Sequence, residues 1–541
     1  MNLIGFIGII VFCLIAFLFS KNRKSIDWKL IIWGIVMQFL IAGITLGKGL
    51  ISLGTFFIWV WIITWYNIEV LVLRDKKINN ILSAVISFLI TSLLIFIIYI
   101  CGAKLSSIIF SFTWYIFLII GIVKSSANAF GKNIKLPVKW SNIFGVLIPP
   151  FILGNLIANG KTGADFFENI GKFVTDFLAF SNLGGEFVFG KLLSSDMGFV
   201  FVLSVGSSVI FITAFISLID ALGIMNNVII STSRFVYWNM KGLGIIPLSG
   251  AETLVAVSSI PMGGDNILFI KNYLSKLTKS EIVLSLSSIM ATIGAHLFGA
   301  FVYMGVSATH IIAASVMSVP AVIAISKIAF PEDEEPVTRG NDIDIIKDEN
   351  YGKPMPALMT GIWNGIQSIL IIAGSLIVFI SLIGALDYLL GSLDAYVDGQ
   401  LLHGVKNAYN EYKGVVPGSL KTLLGYIFSP LAIVMGVPLE DAVRVGYLMG
   451  TKVSLNEVVA FTQLGEFIKS GVLTEKSIII SSFALCGFAN PGTVAIMLGR
   501  VLPFSGENKE NYINLIFKTM FIGAAASWMT AAVAGIISGL I

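Results

Sequence analysis

The sequence predicts an all-α polytopic membrane protein that contains inverted repeats, two re-entrant hairpins and broken transmembrane helices. Charged residues make up only 12% of the 541 residues and hydrophobic residues 56%. A soluble chain carries about 25% charged residues, so the composition excludes a soluble enzyme. In each half, proline, glycine and carboxylates interrupt one apolar stretch, which is typical of a hairpin buried inside a membrane protein. The net charge of only +4 argues against a nucleic-acid partner.

No cofactor or metal site is indicated. The three cysteines, Cys13, Cys101 and Cys486, lie singly inside apolar runs, and the chain has only three histidines. This spacing fits neither a disulfide framework nor a metal cluster. The glycine patterns of Walker and dinucleotide-binding loops are also missing from the sequence, which argues against a nucleotide-driven pump.

The chain opens with an N-terminal unit, 1–49, that holds two predicted spans at 3–19 and 30–48. No basic residue precedes the first span and a basic cluster follows it at 20–29, which is the reverse of a signal peptide. We therefore expect a retained first span. Basic clusters recur after alternate spans, so the positive-inside rule places the amino terminus outside.

Residues 50–159 form a predicted additional segment of four spans, at 54–73, 80–101, 105–123 and 141–159. An even number of spans preserves the orientation of the chain that follows. The segment carries few charges and no re-entrant signature, so we expect a peripheral scaffold or an oligomer-contact bundle. A regulatory or partner-binding role is the alternative.

Two predicted units combine a scaffold span with an external amphipathic helix. The first is 160–226, where apolar residues recur at spacings of three and four over 163–180 before a span at 198–220. This spacing predicts a helix that lies on the membrane surface. The second unit is 356–418, with an amphipathic stretch expected near 392–413.

Two transport repeats are predicted, at 227–330 and 419–541, and an acidic cytoplasmic linker, 331–355, follows the first. Each repeat contains an interrupted, acid-bearing stretch, at 247–274 and at about 436–470. A simple span does not tolerate these breaks, whereas a re-entrant hairpin surrounded by protein does. By the loop count, the two hairpins enter the membrane from opposite sides. Inverted repeats of this kind are the usual architecture of secondary transporters, whose substrate site lies near the midplane.

Ionisable residues inside the membrane are costly and are therefore candidates for function. Asp265 and Glu457, one at each predicted hairpin tip, are the strongest, although either carboxylate has the alternative role of a helix cap. Asn490 lies where a span is expected to unwind. We interpret Glu252 as a structural carboxylate, and His296 either as a packed histidine or as a proton relay.

The sequence resembles the concentrative nucleoside transporter family. Long motifs in the second repeat carry this resemblance, LGYIFSPLAIVMGVPLEDAVRVGYLMGTKVSLNEVVAF at 424–461 and ALCGFAN at 484–490. Shorter motifs of the first half also match, at 184–190, 222–229, 249–253, 290–295 and 304–328. The resemblance covers roughly 160–541 and the opening pair of spans.

The resemblance implies a substrate site whose two halves differ in how closely they follow the family. On the ribose side, the family pattern is retained by Glu457, Phe488, Asn490 and Thr493. On the base side, the family's Gly-Gln-Thr-Glu-Ala-Pro tip is replaced by GGDNILF, so the corresponding positions are Gly264, Asp265 and Asn266. Our hypothesis is a nucleoside-like substrate with a base preference that differs from the common one.

The resemblance also implies a coupling-ion site. The asparagine that helps bind sodium in sodium-coupled members is here Ser258 or Ser259, and the backbone near Pro261 and the hydroxyl of Thr292 are further candidates. Because a serine hydroxyl is a weaker cation ligand than an amide carbonyl, we expect H⁺ in preference to Na⁺ as the coupling ion.

Together, these features predict an ion-coupled importer of nucleosides or nucleoside-like solutes in the bacterial plasma membrane. The family resemblance implies elevator-type alternating access and a homotrimer. The alternatives are a transporter of a nucleobase or modified nucleoside, and a substrate-gated channel or receptor. An intramembrane enzyme is not expected, because Asp265, Glu457 and His296 have no paired spacing.

Overall fold

The computed structural model describes residues 4–72, 80–130, 139–193, 200–338, 351–404, 411–412 and 414–539, and helices dominate these residues. Seven of the described helices are long and apolar enough to cross a membrane. The first part of the chain forms α1 (Ile4–Leu18), α2 (Trp28–Leu46), α3 (Gly49–Val72), α4 (Asn80–Ala129), α5 (Lys139–Ala158), α6 (Gly163–Phe189), α7 (Phe201–Ala221) and α8 (Ile224–Gly242).

The additional segment consists of α3, α4 and α5, which pack against one another. α4 changes direction at Gly102, whose φ of +75° interrupts the helix between the two spans expected there. α5 and α6 meet at 104°, in agreement with a surface helix that turns away from a span. Thr162 and Asp165 form a reciprocal capping box that begins α6.

The first transport repeat contains α9 (Gly250–Met262), 3₁₀ segments at Gly263–Ile270 and Leu274–Lys276, α10 (Lys279–Ala291), α11 (Phe298–Tyr303) and α12 (Ala308–Ala329). α9 and the 3₁₀ segments form the first hairpin, whose second arm is 3₁₀ rather than α-helical. The predicted span 281–304 is broken between α10 and α11. The side chains of Asp265 and His296 and the linker residues 339–350 lie outside the described part of the structure.

The second repeat follows α13 (Pro354–Asp394) and contains α14 (Leu420–Val434), α15 (Leu439–Ser454), α16 (Glu457–Ser470), α17 (Glu475–Leu485), α18 (Pro491–Val501) and α19 (Lys509–Gly539). α15 and α16 form the second hairpin, and α17 and α18 are the two halves of a broken helix. α12 and α19 are largely buried and pack against both α10 and α17. The core of the molecule therefore lies between the two broken helices.

The external amphipathic helix expected near 392–413 stays a prediction, because residues 405–410 and 413 lie outside the described residues. Within the described part, α13 continues into a π-helical turn at Ala395–Leu401. Asp398, in this π-helical turn, accepts hydrogen bonds from the backbone N–H groups of Val415 (3.0 Å) and Val416 (2.8 Å) and so holds the returning chain. These bonds satisfy two backbone donors that belong to no helix.

Candidate functional site

The two broken helices touch each other at their breaks. α10 ends at Ala291 and α17 ends at Leu485, and the chain between Cys486 and Asn490 is not helical. A Cβ atom built on Gly487 would lie 2.7 Å from the carbonyl oxygen of Met290, and the φ of Gly487 is +137°. Only glycine fits this crossing without strain. The breaks therefore bring buried, non-helical backbone segments from both repeats to one place.

Glu457 and Asn490 meet at this place. The Asn490 Nδ2 atom donates to Glu457 Oε2 at 2.7 Å, and both residues are buried. Asn490 is also the N-cap of α18, since its Oδ1 accepts from the Thr493 backbone N–H at 3.0 Å. One amide thus joins the second hairpin to the broken helix, and the Thr493 hydroxyl lies beside it, 3.4 Å from the same Oδ1.

The helix-cap role that was the alternative for Glu457 belongs to the residue before it. Asn456 is the N-cap of α16, and its Oδ1 accepts from the Val459 backbone N–H at 2.9 Å. The Glu457 side chain lies in the first turn, where the positive end of the helix dipole stabilises a carboxylate. Glu457 is therefore available for a ligand as well as for Asn490.

The tip of the first hairpin faces the broken helix of the second repeat. A Cβ atom on Gly263 would lie 3.4 Å from Phe488 Cε2, which places this aromatic ring at the tip. A Cβ atom on Gly264 would lie 2.5 Å from Arg500 Nη1 and 2.6 Å from Met497 Cε. The hairpin tip and the ribose-side residues are therefore parts of one region.

Asn266 lies in the second arm of the first hairpin. Its side chain is fully buried, and its Nδ2 donates to the Val255 carbonyl of α9 at 2.8 Å. The amide nitrogen therefore ties the two arms of the first hairpin together. A direct contact of this nitrogen with a substrate would need that bond to break.

The candidate ion ligands lie where the first hairpin meets α10. The Thr292 hydroxyl donates to the Ser259 carbonyl at 3.2 Å, so the two elements are in contact. The hydroxyls of Ser258 and Ser259 donate to carbonyls within α9, at 2.7 Å each, and their oxygens keep lone pairs. Pro261 lies in the last turn of α9 and lacks the N–H that would pair with the carbonyl four residues before it.

Two charged residues of this region were not among the candidates from the sequence. Lys452 is fully buried in α15, and its ammonium donates to the Ala484 carbonyl at 2.9 Å. Arg500 is half-buried beside the first hairpin tip. Lys452 carried one signal, a charge inside an interrupted apolar stretch. Arg500 lies near the end of an apolar stretch, where a basic residue is usually interpreted as facing the loop side, and only the fold shows that it lies beside the first hairpin tip.

The arrangement is suited to binding rather than to covalent catalysis. The Glu457 carboxylate accepts hydrogen bonds and the Asn490 amide both accepts and donates, so together they match vicinal hydroxyl groups. The aromatic ring of Phe488, two residues before Asn490 in the chain, lies beside the hairpin tip. Within the described residues, no group of three histidine, cysteine or carboxylate side chains has the geometry of a metal site.

Comparison with known proteins gives a consistent result. Sequence profiles described as the Na⁺ dependent nucleoside transporter C-terminus and N-terminus match residues 310–535 and residues 7–52 and 116–192, respectively. The two matched N-terminal segments leave 53–115 unmatched, inside the additional segment.

Individual relatives extend over most of the chain. Human sodium/nucleoside cotransporter 1 is 30% identical over 414 residues, covering 74% of this chain and 60% of that protein. Rat solute carrier family 28 member 3 is also 30% identical, and the chain spans 55% of its length. The uncharacterized transporter YutK of Bacillus subtilis (strain 168) is 30% identical over 406 residues, covering 94% of that protein.

Solved structures share the fold. CNTnw in an inward-facing substrate-bound state has a TM-score of 0.69 and 22% identity, and the alignment covers all of this chain and 99% of that one. A doubly substituted CNTnw in an outward-facing state has a TM-score of 0.71. From its profiles and relatives, this chain belongs to the concentrative nucleoside transporter family of multi-pass membrane proteins.

Proposed function

We propose that the chain is an ion-coupled secondary active importer of nucleosides or nucleoside-like solutes in the bacterial plasma membrane. One observation carries the proposal: the buried Glu457–Asn490 pair lies where the second hairpin meets a broken helix. A buried carboxylate inside a membrane is expensive and is retained where it serves a ligand or an ion. The 94% coverage of a bacterial relative supports the bacterial membrane.

The chemistry of the pair supports recognition of a ribose. An ionised carboxylate has about four lone-pair sites, and the bond from Asn490 uses one of them. Two neighbouring sugar hydroxyls can therefore donate to Glu457, while the Asn490 and Thr493 oxygens and the broken backbone lie close by. Nucleobases lack these hydroxyls, which makes a nucleobase transporter the weaker alternative.

Sodium is our proposed coupling ion. The description of the matching family and the name of the human relative both mention sodium, which supports this choice. The serines at 258 and 259, as weaker cation ligands than an asparagine, favour the alternative of proton coupling. The contact between Thr292 and the Ser259 carbonyl places several oxygens around one point of the first hairpin. Oxygen ligands of this kind suit a hard cation.

We further propose elevator-type movement in a homotrimer. Inward-facing and outward-facing structures of CNTnw both match this fold, which supports alternating access. α7 and α13 pack along each other and make no extensive contact with α10, α12, α17 or α19, so they are candidates for a fixed scaffold. The mass of the purified protein in detergent tests the trimer.

Uptake into proteoliposomes tests the proposed function. We expect radiolabelled nucleoside to accumulate against its gradient only when an inward sodium gradient is present. Glu457→Gln removes the charge that receives the sugar, and a hydrogen bond to a charged group contributes about 1.5–3 kcal/mol, so binding should weaken by at least about 10-fold. Glu466→Gln, on an exposed position of α16, is the matched control.

Three outcomes would contradict parts of this proposal. Uptake by Glu457→Gln at the level of the parent protein would remove Glu457 from the site. A response to a pH gradient without sodium would replace sodium with protons. Equilibration without accumulation would identify a channel rather than a transporter.

A further inference from the structure

Arg500 lies directly against the tip of the first hairpin. It occupies the last turn of α18, and its Nη1 would lie 2.5 Å from a Cβ atom on Gly264. A side chain at position 264 would require the guanidinium, the mobile end of the arginine side chain, to move away from the hairpin tip. In the structure, the hairpin tip and this cation of the broken helix are therefore in direct contact.

The face of α18 that ends at Arg500 begins at the Glu457–Asn490 pair. Thr493, Met497 and Arg500 follow at spacings of four and three, which places them on one face of the helix. Long helical side chains lean toward the helix N-terminus, so the guanidinium lies near the turn of Met497. This agrees with Met497 Cε, which would lie 2.6 Å from the same Cβ atom.

The separation of these groups suits a nucleoside. Seven residues of helix from Thr493 to Arg500 rise by about 10 Å, and the lean of the arginine shortens this distance. Phe488 lies beside Gly263, at the same hairpin tip, and an aromatic ring is a platform on which a base stacks. A sugar held by Glu457 and Asn490 would thus direct its base toward Arg500.

We propose that Arg500 reads the base edge and that the chain prefers nucleosides whose base carries carbonyl acceptors. This inference rests on the proposed function of the same site. A guanidinium has only donors, arranged in a planar fork. Among purines, the O6 and N7 acceptors of guanine and hypoxanthine match that fork, whereas adenine presents an amino donor beside N7. Inosine and guanosine should therefore bind more tightly than adenosine.

The size of the preference follows from the cost of losing a bidentate contact. Such a pair discriminates between bases by about 1–3 kcal/mol, which corresponds to about 5- to 150-fold in affinity. Arg500→Ala should remove this discrimination, because it weakens the binding of inosine and guanosine and leaves the affinity for adenosine nearly unchanged. Arg500→Lys should retain only part of it, because lysine is a single point charge without the planar fork.

The experiment measures equilibrium binding of inosine, guanosine and adenosine to purified protein by titration calorimetry. The proteins are the parent, Arg500→Ala, Arg500→Lys and the control Lys509→Ala, which changes an exposed lysine at the start of α19. We expect the inosine-to-adenosine affinity ratio to be at least about 5 in the parent and in the control, and close to 1 in Arg500→Ala.

The ratio distinguishes base reading from a structural role. The inference would be overturned if Arg500→Ala weakened the binding of all three nucleosides equally or left the inosine-to-adenosine affinity ratio unchanged. It would also be overturned if the parent protein bound adenosine more tightly than inosine. Failure of the proposed function has a different signature, since the parent protein would then bind none of the three nucleosides.

Discussion

Lys452 is a fully buried cation at the centre of the second repeat. Its ammonium donates to the Ala484 carbonyl at 2.9 Å, in the last turn of α17. This carbonyl belongs to the negative end of that helix, which a positive charge stabilises. Lys452 also interacts electrostatically with the Glu457 carboxylate. The residue therefore links the hairpin, the helix break and the carboxylate of the proposed site.

Lys452→Met tests this link. We expect lower thermal stability and a loss of nucleoside uptake, because the buried Ala484 carbonyl loses its donor and the Glu457 charge loses its neighbour. An unsatisfied buried acceptor costs about 1–3 kcal/mol. Melting of the detergent-solubilised protein and uptake into proteoliposomes are the measurements, with Lys172→Met on an exposed part of α6 as the control. Parental melting and uptake in Lys452→Met would show that the ammonium is dispensable.

At the scale of elements, the base of the first hairpin is held by a polar network. The N-termini of α9 and α10 each have a capping box, formed by Ser249 with Glu252 and by Thr278 with Glu281. Lys327 of α12 forms a buried ion pair with Glu252. This contact confirms the structural role expected for Glu252, and it explains how a carboxylate is accommodated at the hairpin entrance.

The start of the linker also contributes hydrogen bonds to the polar network at the entrance of the first hairpin. The Thr338 hydroxyl donates to Glu281 Oε1 at 2.8 Å, and the Thr338 carbonyl accepts from the Gly250 backbone N–H at 2.8 Å. The start of the predicted linker, at Thr338, is thus hydrogen-bonded to the first hairpin and to α10. These hydrogen bonds join α9 to α10 at the end opposite the hairpin tip.

The crossing of the two broken helices depends on a glycine, and Gly487→Ala tests it. The new methyl group would lie 2.7 Å from the Met290 carbonyl oxygen and 2.9 Å from Ser527 Oγ, at a φ that L-residues rarely adopt. Overpacking of this kind costs about 1–3 kcal/mol, so we expect lower thermal stability and weaker nucleoside binding. Gly499→Ala is the matched control on the exposed side of α18, where the methyl group meets nothing within 4 Å. Equal melting temperatures for the two variants would contradict the requirement for glycine where the two broken helices cross.

At the scale of the whole molecule, the additional segment is attached to the first repeat through a carboxylate. Glu69 of α3 accepts hydrogen bonds from Trp238 Nε1 of α8 at 2.6 Å, from Trp65 Nε1 at 3.0 Å and from the Ser83 hydroxyl at 3.0 Å. Tyr66 and Phe235 pack against the Trp238 indole and against each other. α8 in turn contacts α9, so the additional helices are connected to the first hairpin through α8.

Glu69→Ala should weaken the attachment of α3 to α8. The Trp238 indole N–H would lose its acceptor, at a cost of about 1–3 kcal/mol for a donor left unsatisfied, whereas the Trp65 indole N–H retains the Ser83 hydroxyl at 2.9 Å. We expect a lower melting temperature and unchanged nucleoside affinity, measured by thermal unfolding and by titration calorimetry. Glu168→Ala, at an exposed position of α6, controls for loss of charge. A change in affinity as large as the change in stability would instead indicate that the segment acts on the substrate site.

Much of this architecture was predictable because the bilayer imposes simple rules on a sequence. Sparse charge and apolar runs located the spans, and breaks with buried carboxylates located both hairpins. Glu457 and Asn490 became candidates for the same reason, since polar groups in an apolar stretch are conspicuous. The hydrogen bonds from the backbone N–H groups of Val415 and Val416 to Asp398 could not be predicted, because the partners are 17 and 18 residues apart and no local pattern pairs them.

The sequence by itself determined the membrane class, the repeats and the residues that carry unusual charge. These are local properties, set by how each segment partitions between lipid and water. Only the tertiary structure decided that Glu457 bonds to Asn490, that Asn266 ties the hairpin together and that Arg500 lies against Gly264. Such pairings depend on helices far apart in the chain crossing at a single point, and no periodicity within one segment records where that crossing occurs.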